Sequence, residues 1–297
     1  MKRNKASNKI KQNKGFNFFM YLVVGAFAVF CFVPFWLVFI NSFATETSIA
    51  QNGFSLWPSE FTFYAYEYAF AGGQVGYGYR NTFFIVLIGT PIATIITAMF
   101  AYVLAHPKVK YRKIMSFLTY LSMIMGTALV GYYVLISSWL HLKDNLWAII
   151  LPMLFNPFFA FIMVAAYKDV PYEIYEASCI DGAGDILTFF KVILPIVLPT
   201  IATVALFYTL QYWNEWWHAL LFIDNYKLHP LQMLIRSLIS SINTSSYMGA
   251  RVSSGALVPT NSVKMAVVCL TVGPIILGYP FAQKYFVEGI SVGAVKG

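Results

Sequence analysis

The chain has 297 residues, of which 59% are hydrophobic and 11% are charged. Soluble domains carry about 25% charged residues, so this composition excludes an ordinary soluble protein and indicates a membrane protein. The net charge of +8 does not predict nucleic-acid binding. The basic residues lie beside apolar segments, where they act as signals for topology and for lipid headgroups.

Six apolar windows follow along the chain, and each is long enough for a helix to cross a hydrocarbon core, which takes about 18 to 20 residues. They are residues 16–44, 82–105, 114–140, 146–167, 192–214 and 265–283. We therefore predict an all-α membrane protein with six transmembrane helices at 16–283, between a basic N-terminus at 1–15 and a tail at 284–297. Proline and glycine in the last two windows predict kinks rather than gaps.

Basic residues alternate between the loops that join these windows. They precede the first window and lie between the second and third: Lys2, Arg3, Lys5, Lys9, Lys11, Lys14, Lys108, Lys110, Arg112 and Lys113. The positive-inside rule then places both termini and the loop at 168–191 in the cytoplasm. The loop at 224–264 becomes external, and long loops of this kind are often functional.

The cytoplasmic loop contains a compact polar motif. It reads Glu176-Ala177-Ser178-Cys179-Ile180-Asp181-Gly182-Ala183, and Leu194-Pro195 and Pro199 follow. Pro171 suits a first helical turn, Asp181-Gly182 marks a turn, and Asp185 can cap a second helix. We predict two short helices that are joined at the glycine and lie along the membrane surface.

Motifs for nucleotide, metal or nucleophilic chemistry are missing from the sequence. There is no Gly-x-x-x-x-Gly-Lys-Ser/Thr, so we expect no ATP site on this chain. The three cysteines, Cys31, Cys179 and Cys269, are far apart, and no paired histidines have metal-ligand spacing. A membrane-embedded enzyme is therefore disfavoured, no metal site is expected, and any ATP-driven function needs a separate subunit.

One acidic residue, Glu215, falls at membrane depth within the sequence Tyr212-Trp213-Asn214-Glu215-Trp216-Trp217-His218. Intramembrane carboxylates mark a pathway or a buried polar pair. His218 shares its helical face, which leaves open an ion-coupled carrier that relays protons through the two residues. The surrounding tryptophans are also typical of a membrane interface. We favour pathway lining or structural pairing.

The loop motif resembles the Glu-Ala-Ala-x-x-Asp-Gly-Ala and Leu-Pro-x-x-x-Pro signature of ABC importer permeases, with Ser178 in place of the second alanine. Trp213-Asn214-Glu215 resembles that family's tryptophan-asparagine-acid motif, and residues 286–297 resemble its C-terminal tail. The chain is thus similar to the carbohydrate-uptake, maltose-permease-like branch of the family. That branch has the transmembrane domain of type I ABC importers.

The resemblance implies a subunit of a bacterial plasma-membrane importer that moves an oligosaccharide or complex glycan inward by alternating access. It implies a homologous second permease subunit, a dimer of ATP-binding subunits that holds ATP and Mg, and an external solute-binding lipoprotein. By this resemblance the chain itself is not an enzyme and binds no cofactor. The alternative is an ion-coupled sugar transporter that uses Glu215 and His218.

The resemblance also assigns residues to roles. The coupling loop at 168–191 would dock on the ATPase through Glu176, Ala177, Ser178, Asp181, Gly182 and Ala183. The tail would contact the ATPase through Gly293, Ala294, Val295 and Lys296. Candidates for the pathway or substrate are Trp213, Asn214 and Glu215. Candidates for contact with the binding protein are Asn243, Ser246 and Tyr247.

Overall fold

A computed structural model describes residues 14–126, 128–237, 240 and 261–294, with side chains as far as residue 278. The candidates Asn243, Ser246 and Tyr247 therefore lie outside the described residues, as do Val295 and Lys296. Of the C-terminal candidates, Gly293 and Ala294 have only their helical backbone described. Helices and turns make up the described ranges, with an isolated antiparallel bridge between Ala44 and Phe61.

The helices are numbered α1 to α15 along the chain. The first six are α1 (Lys14–Asn41), α2 (Glu46–Asn52), α3 (Tyr64–Ala71), α4 (Gln74–Ala105), α5 (Arg112–Ile124) and α6 (Leu129–Val134). The next six are α7 (Trp147–Ile150), α8 (Pro157–Lys168), α9 (Tyr172–Ile180), α10 (Asp185–Thr188), α11 (Leu194–Ile196) and α12 (Leu198–Trp213). The last three are α13 (Trp217–Phe222), α14 (231–237) and α15 (Asn261–Ala294).

Apolar helices long enough to cross a membrane are Gly15–Asn41, Gln74–Ala105 and Asn261–Gly278. Three further pairs of helices pass the same test together but are bent at a short break. They are Arg112–Ile124 with Leu129–Trp139 (106°), Trp147–Met153 with Pro157–Lys168 (44°), and Asp185–Ile196 with Leu198–Trp213 (86°). The described residues therefore offer three spans, or up to six if each bent pair is one span. The predicted all-α membrane class is confirmed.

Two of the bends have an identifiable local cause. Asn156 caps α8, because its side chain accepts a hydrogen bond from the Phe158 N–H at 2.9 Å, and Pro157 occupies the first helical position, which needs no N–H donor. The chain turns between Pro195 and Pro199, and the latter lies in the first turn of α12. The helix in the fifth window consequently begins at Leu198 instead of continuing from residue 192.

The chain divides into two compact units. The first comprises residues 1–68 and 252–269. In it the Glu46 carboxylate accepts hydrogen bonds from the backbone N–H groups and the side chains of Asn261 and Ser262, at 3.0 to 3.1 Å. These N–H groups open α15 and have no partner within that helix, and a carboxylate there is favoured by the helix dipole.

The second unit comprises residues 69–251 and 270–297 and holds the largest buried core. Its central helix, α4, packs against α8 and α12. Gly89 permits this close approach, since a Cβ there would lie 2.7 Å from Cζ of Tyr212. The Tyr208 hydroxyl completes the packing, because it lies 2.6 Å from Thr97 Oγ1 and accepts the Asn156 N–H at 2.9 Å.

Helix α4 begins eight residues before the predicted second window, within a stretch that contains Gly76 and Gly78. Gly78 explains the difference. A Cβ on Gly78 would lie 2.8 Å from Leu234 Cδ1 and 3.3 Å from Leu231 Cα. This glycine therefore serves helix packing rather than chain reversal.

Candidate docking and pathway sites

The loop motif forms the predicted pair of short helices joined at a glycine. We call residues 168–196 the motif segment. Helix α9 ends in a Schellman cap, in which the Gly182 N–H donates to the Cys179 carbonyl at 3.1 Å and the Ala183 N–H donates to the Ser178 carbonyl at 2.9 Å. Gly182 has a φ of +78°, a left-handed conformation that glycine adopts without strain. The Asp-Gly-Ala part of the motif thus encodes the end of a helix.

The start of the second helix differs from the predicted cap. Gly184 occupies the N-cap position of α10, and Asp185 is the first helical residue. In that position Asp185 is an acid in the first helical turn, where the helix dipole stabilises a negative charge.

The motif residues separate into an outer and an inner set. Glu176, Ala177, Asp181 and Gly182 are exposed and Ala183 is half-buried. Ser178 is buried, and its hydroxyl donates to the Ile174 carbonyl at 2.9 Å. The structure therefore places Ser178 in packing within the chain, on the side away from the exposed motif residues.

Two isoleucines that the sequence reasoning did not single out flank the glycine turn. Ile180 is 85% exposed and Ile186 is 75% exposed. Among the described residues, no heavy atom lies within 4 Å of the position that a Cβ on Gly182 would occupy. The turn therefore projects as an apolar tip into open space. The available sequence signal was an isoleucine on each side of the Asp-Gly turn, at Ile180 and Ile186.

Aromatic packing joins the motif segment to the end of α4. The Tyr175 ring is stacked on Tyr102 with centroids 6.1 Å apart and meets the His106 ring edge-on at 5.5 Å. Phe189, in the second helical part, also contacts Tyr102, at 5.1 Å. Burial raises the pKa of Tyr175, so its hydroxyl stays neutral at physiological pH. The motif segment is therefore packed on the end of α4 through these rings.

The tryptophan motif lies at the opposite end of α12, and its three candidate residues occupy three different environments. We call residues 213–236 the tryptophan segment. Trp213 is buried, and its Nε1 donates to the Thr271 carbonyl at 3.2 Å. Asn214 is exposed, and its Oδ1 accepts a hydrogen bond from Gln232 Nε2 at 3.1 Å. Trp213 is thus a packing residue, and Asn214 faces outward.

Glu215 is 9% exposed and caps the next helix. Its Oε1 accepts the backbone N–H of His218 at 2.7 Å, at the start of α13. The same oxygen lies 3.0 Å from His218 Nδ1, but this second approach does not have the direction of a hydrogen bond. Glu215 and His218 are therefore in contact, but they do not share a helical face as predicted, because Glu215 lies in the break between α12 and α13. Its carboxylate instead accepts an N–H at the start of α13.

A hydroxyl near this pair lacks a partner among the described residues. The Tyr132 ring meets the His218 ring edge-on with centroids 6.0 Å apart, and its buried hydroxyl has no hydrogen-bond partner within the described part of the chain. The same holds for the buried Oε1 of Gln211. Buried hydroxyls without a partner in the described part of the chain also occur at Thr94, Tyr167 and Thr188, so these atoms alone do not mark a solute site.

No group of three His, Cys, Asp or Glu side chains in the described ranges has the arrangement of a metal site. At one end of α12 the motif segment has an apolar tip that is packed on aromatic rings. At the other end the tryptophan segment has polar and aromatic side chains. This arrangement, on a bundle of apolar helices, is that of a membrane transport subunit.

The family can be stated from sequence comparison. The model of the family described as "Binding-protein-dependent transport system inner membrane component" matches residues 81–292. The chain belongs to this family, which confirms the resemblance drawn from the three motifs. It is thus a membrane-embedded permease subunit of a transport system that also includes a binding protein.

Curated relatives cover nearly the whole chain. Protein LplC of Bacillus subtilis (strain 168) is 35% identical over 93% of this chain and 93% of its own length. The polygalacturonan/rhamnogalacturonan transport system permease protein YtcP of the same organism is 33% identical over 96% of this chain and 100% of its own length.

A solved structure shares the fold. It is the crystal structure of a bacterial ABC transporter involved in the import of the acidic polysaccharide alginate. It covers 93% of this chain and 98% of its own, with a TM-score of 0.81 and 24% sequence identity. The expected fold of a type I ABC importer permease agrees with this likeness.

Proposed function

We propose that this permease subunit moves an oligosaccharide into the cytoplasm and that separate ATP-binding subunits drive the transport. The observation that carries the proposal is the motif segment, in which an exposed apolar tip is fixed to α4 by buried aromatic rings. An exposed apolar feature in a loop outside the membrane spans marks a protein contact. The substrate class is supported by the relative whose name specifies polygalacturonan and rhamnogalacturonan.

In this proposal the motif segment lies in the cytoplasm and docks on the ATPase dimer. Ile180 and Ile186 enter an apolar cleft on the ATPase, and the exposed carboxylates of Glu176 and Asp181 meet basic residues at its rim. The proposed orientation rests on the basic residues of the N-terminus and of the loop after α4. ATP and Mg belong to the ATPase, and this chain acts without catalysing hydrolysis.

The other partners follow the same scheme. A homologous second permease subunit completes the pathway, and an external solute-binding protein delivers the sugar to the loop at 224–264. Asn243, Ser246 and Tyr247 remain the proposed contacts for that protein, and residues 293–296 remain the proposed tail contact with the ATPase. Trp213, Asn214 and Glu215 stay the proposed pathway candidates. Asn214 alone of the three is exposed and would contact the solute, and the buried Trp213 and Glu215 would hold it in position.

The test is uptake by proteoliposomes that contain the complete importer, its binding protein and a labelled oligogalacturonate. We expect uptake to require ATP hydrolysis and to be insensitive to a protonophore. Uptake that continues without ATP hydrolysis and stops when the proton gradient collapses would support the ion-coupled alternative through Glu215 and His218 instead.

A further inference from the structure

The tryptophan segment presents one face on which aromatic, amide and cationic groups meet. The guanidinium carbon of Arg236 lies 3.8 Å from the centroid of the Trp216 ring. Trp217, which is 42% exposed, meets Trp216 edge-on with ring centroids 5.6 Å apart. We call Asn214, Trp216, Trp217, Gln232 and Arg236 the Arg236 face.

The amide pair on this face is oriented by its own hydrogen bonds. Gln232 Nε2 donates to Asn214 Oδ1 at 3.1 Å, and Asn214 Nδ2 donates to the Leu210 carbonyl at 2.8 Å. Asn214 is exposed and Gln232 is half-buried, and each amide has further donor and acceptor capacity beyond these two bonds. Planar amides of this kind both donate and accept, which suits the hydroxyl groups of a sugar.

The positive charge of Arg236 is unmatched within the described part of the chain. Its side chain is exposed, and no described carboxylate oxygen lies within 4 Å of its nitrogens. The neighbouring carboxylate, Glu215, is engaged with the backbone N–H of His218. The segment 241–260, which follows α14 and lies outside the described residues, contains no aspartate or glutamate.

Stacking on the indole holds the guanidinium in a fixed position. An arginine that lies over a ring keeps its N–H donors around the rim of its plane, where they can form two parallel bonds to one carboxylate. A lysine at this position would have neither the planar group that lies on the ring nor the pair of N–H donors that binds one carboxylate. The arrangement therefore favours a ligand that carries a carboxylate beside an apolar ring face.

We propose that the Arg236 face is a subsite for an acidic sugar unit, such as a uronate within an oligosaccharide. This inference rests on the proposed function and specifies its substrate class. The Arg236 guanidinium, which lies over Trp216, binds the sugar carboxylate, the indole of Trp217 packs against the C–H face of the pyranose ring, and Asn214 and Gln232 bind hydroxyl groups. A neutral sugar would leave the cation without a counter-charge.

The test is equilibrium binding to the purified importer complex in nanodiscs, without binding protein. The probes are a short fluorescent oligogalacturonate and its fully methyl-esterified form, which has the same sugar but no charge. We expect the wild-type complex to bind the acid form about tenfold more tightly, because charge-assisted bidentate hydrogen bonds are lost with the ester. Arg236→Gln should remove this difference while leaving affinity for the ester unchanged.

Two further variants separate recognition from a general effect of charge. Compared with Arg236→Gln, Arg236→Lys should show part of the preference for the acid form, because lysine keeps the positive charge but lacks the paired N–H donors of the guanidinium. Arg80→Gln is the matched control. Arg80 also lies over an aromatic ring, with its guanidinium carbon 5.5 Å from the Tyr77 centroid, and its removal should leave the preference intact.

Several results would overturn the subsite. Equal affinity of the wild-type complex for both probes, or binding of neither, would show that no carboxylate is recognised. An Arg236→Gln variant that binds both probes normally but loses activation of ATP hydrolysis by the binding protein would assign this face to that protein. Tight binding of the acid form without ATP-driven uptake would leave the subsite standing and contradict the proposed function.

Discussion

The motif segment and the tryptophan segment lie at opposite ends of α12. Both contain packed aromatic rings, but they expose different kinds of side chain. In the motif segment two exposed isoleucines flank the turn beside the exposed carboxylates of Glu176 and Asp181, and Tyr175 is buried. In the tryptophan segment Trp213 and Glu215 are buried, and the outward side chains include an arginine, an amide and an indole. An apolar tip suits a protein partner that removes it from water, and a polar aromatic face suits a hydroxylated solute.

The comparison also extends to how each segment is held. The motif segment is fixed by ring contacts to α4, so that its position depends on packing. The tryptophan segment is fixed by directed hydrogen bonds, namely those of Trp213 to Thr271 and of Glu215 to His218. We therefore expect substitutions in the motif segment to change coupling, by which we mean the stimulation of ATP hydrolysis by the loaded binding protein. Substitutions in the tryptophan segment should change the recognition of the solute.

The largest effect is expected from Tyr175→Ala, which removes the buried ring between the motif segment and α4. Loss of a large buried aromatic side chain typically costs about 3 kcal/mol or more. We expect the complex to lose stimulation of ATP hydrolysis by the loaded binding protein, measured in nanodiscs. Tyr175→Phe should retain it, and Tyr111→Ala is the control, because Tyr111 is an exposed tyrosine. Normal stimulation of ATP hydrolysis in Tyr175→Ala would contradict a role for the Tyr175 ring in joining the motif segment to α4.

A somewhat smaller effect is expected from Ile180→Ser and Ile186→Ser. Full burial of an isoleucine side chain is worth about 1.5–3 kcal/mol, so each change should weaken the association of the permease with the ATPase about tenfold or more. The measurement is ATPase binding to immobilised permease complex. Ile196→Ser removes a half-exposed isoleucine outside the turn and should leave the association unchanged. If all three variants behave alike, the apolar tip is not the contact.

Substitutions of Gly182 can show whether this position needs a left-handed backbone conformation or needs a small side chain. Its φ of +78° would cost a β-branched residue about 1–3 kcal/mol, so Gly182→Val should impair coupling. Gly182→Asn should retain most coupling, because asparagine tolerates the left-handed region. The control is Gly184→Val, at a φ of −73° in the N-cap of α10. Loss of coupling in Gly182→Asn would instead show that the ATPase approaches this position closely.

The sequence predicted the motif segment well because the motif encodes local structure. Asp181, Gly182 and Ala183 specify a helix end through backbone conformation, and this depends on few distant residues. The apolar windows at 16–44, 82–105 and 265–283 each fall largely within one helix, whereas the other three windows contain helix pairs bent at a break. The sequence did not predict the early start of α4, because Gly78 is read as a turn signal unless its neighbours Leu231 and Leu234 are known.

The pathway candidates were only partly predictable for a related reason. The spacing of Glu215 and His218 predicted their contact for the wrong reason, because a shared helical face was expected and the helix is interrupted between α12 and α13. The burial of Trp213 depends on Thr271, and the stack of Arg236 on Trp216 joins residues twenty apart. Such contacts depend on tertiary packing. They leave no periodic signal in the sequence.

Glu215 allows the cap and the proton relay to be distinguished. Glu215→Gln keeps an oxygen that can accept the His218 N–H but cannot carry a proton, so ATP-driven uptake should remain close to wild type. Glu215→Ala removes the cap, which is worth about 1 kcal/mol, and should lower the thermal stability of the complex. Loss of uptake in Glu215→Gln with unchanged stability would favour the ion-coupled alternative.

The smallest effect is expected from the ion pair that borders the tryptophan segment. Lys143 Nζ lies 2.8 Å from Asp224 Oδ2, and both side chains are substantially exposed. Water and salt screen such pairs, so Lys143→Ala should scarcely change the thermal denaturation of the complex. Asp144→Ala should change it more, because Asp144 Oδ1 accepts the backbone N–H groups of Asp224 and Asn225 at 2.7 and 2.8 Å.

The pH dependence of this pair follows from the direction of its shift. The hydrogen bond and the charge of Asp224 raise the pKa of Lys143 above its ordinary value of 10.5. A raised lysine pKa gives stability that is present below the ordinary value and is lost as the pH rises through the folded-state value. The difference between the thermal denaturation midpoints of wild type and Lys143→Ala should therefore stay constant from pH 6 to 9. A change in this difference within that range would mean that a group other than Lys143 titrates beside the tryptophan segment.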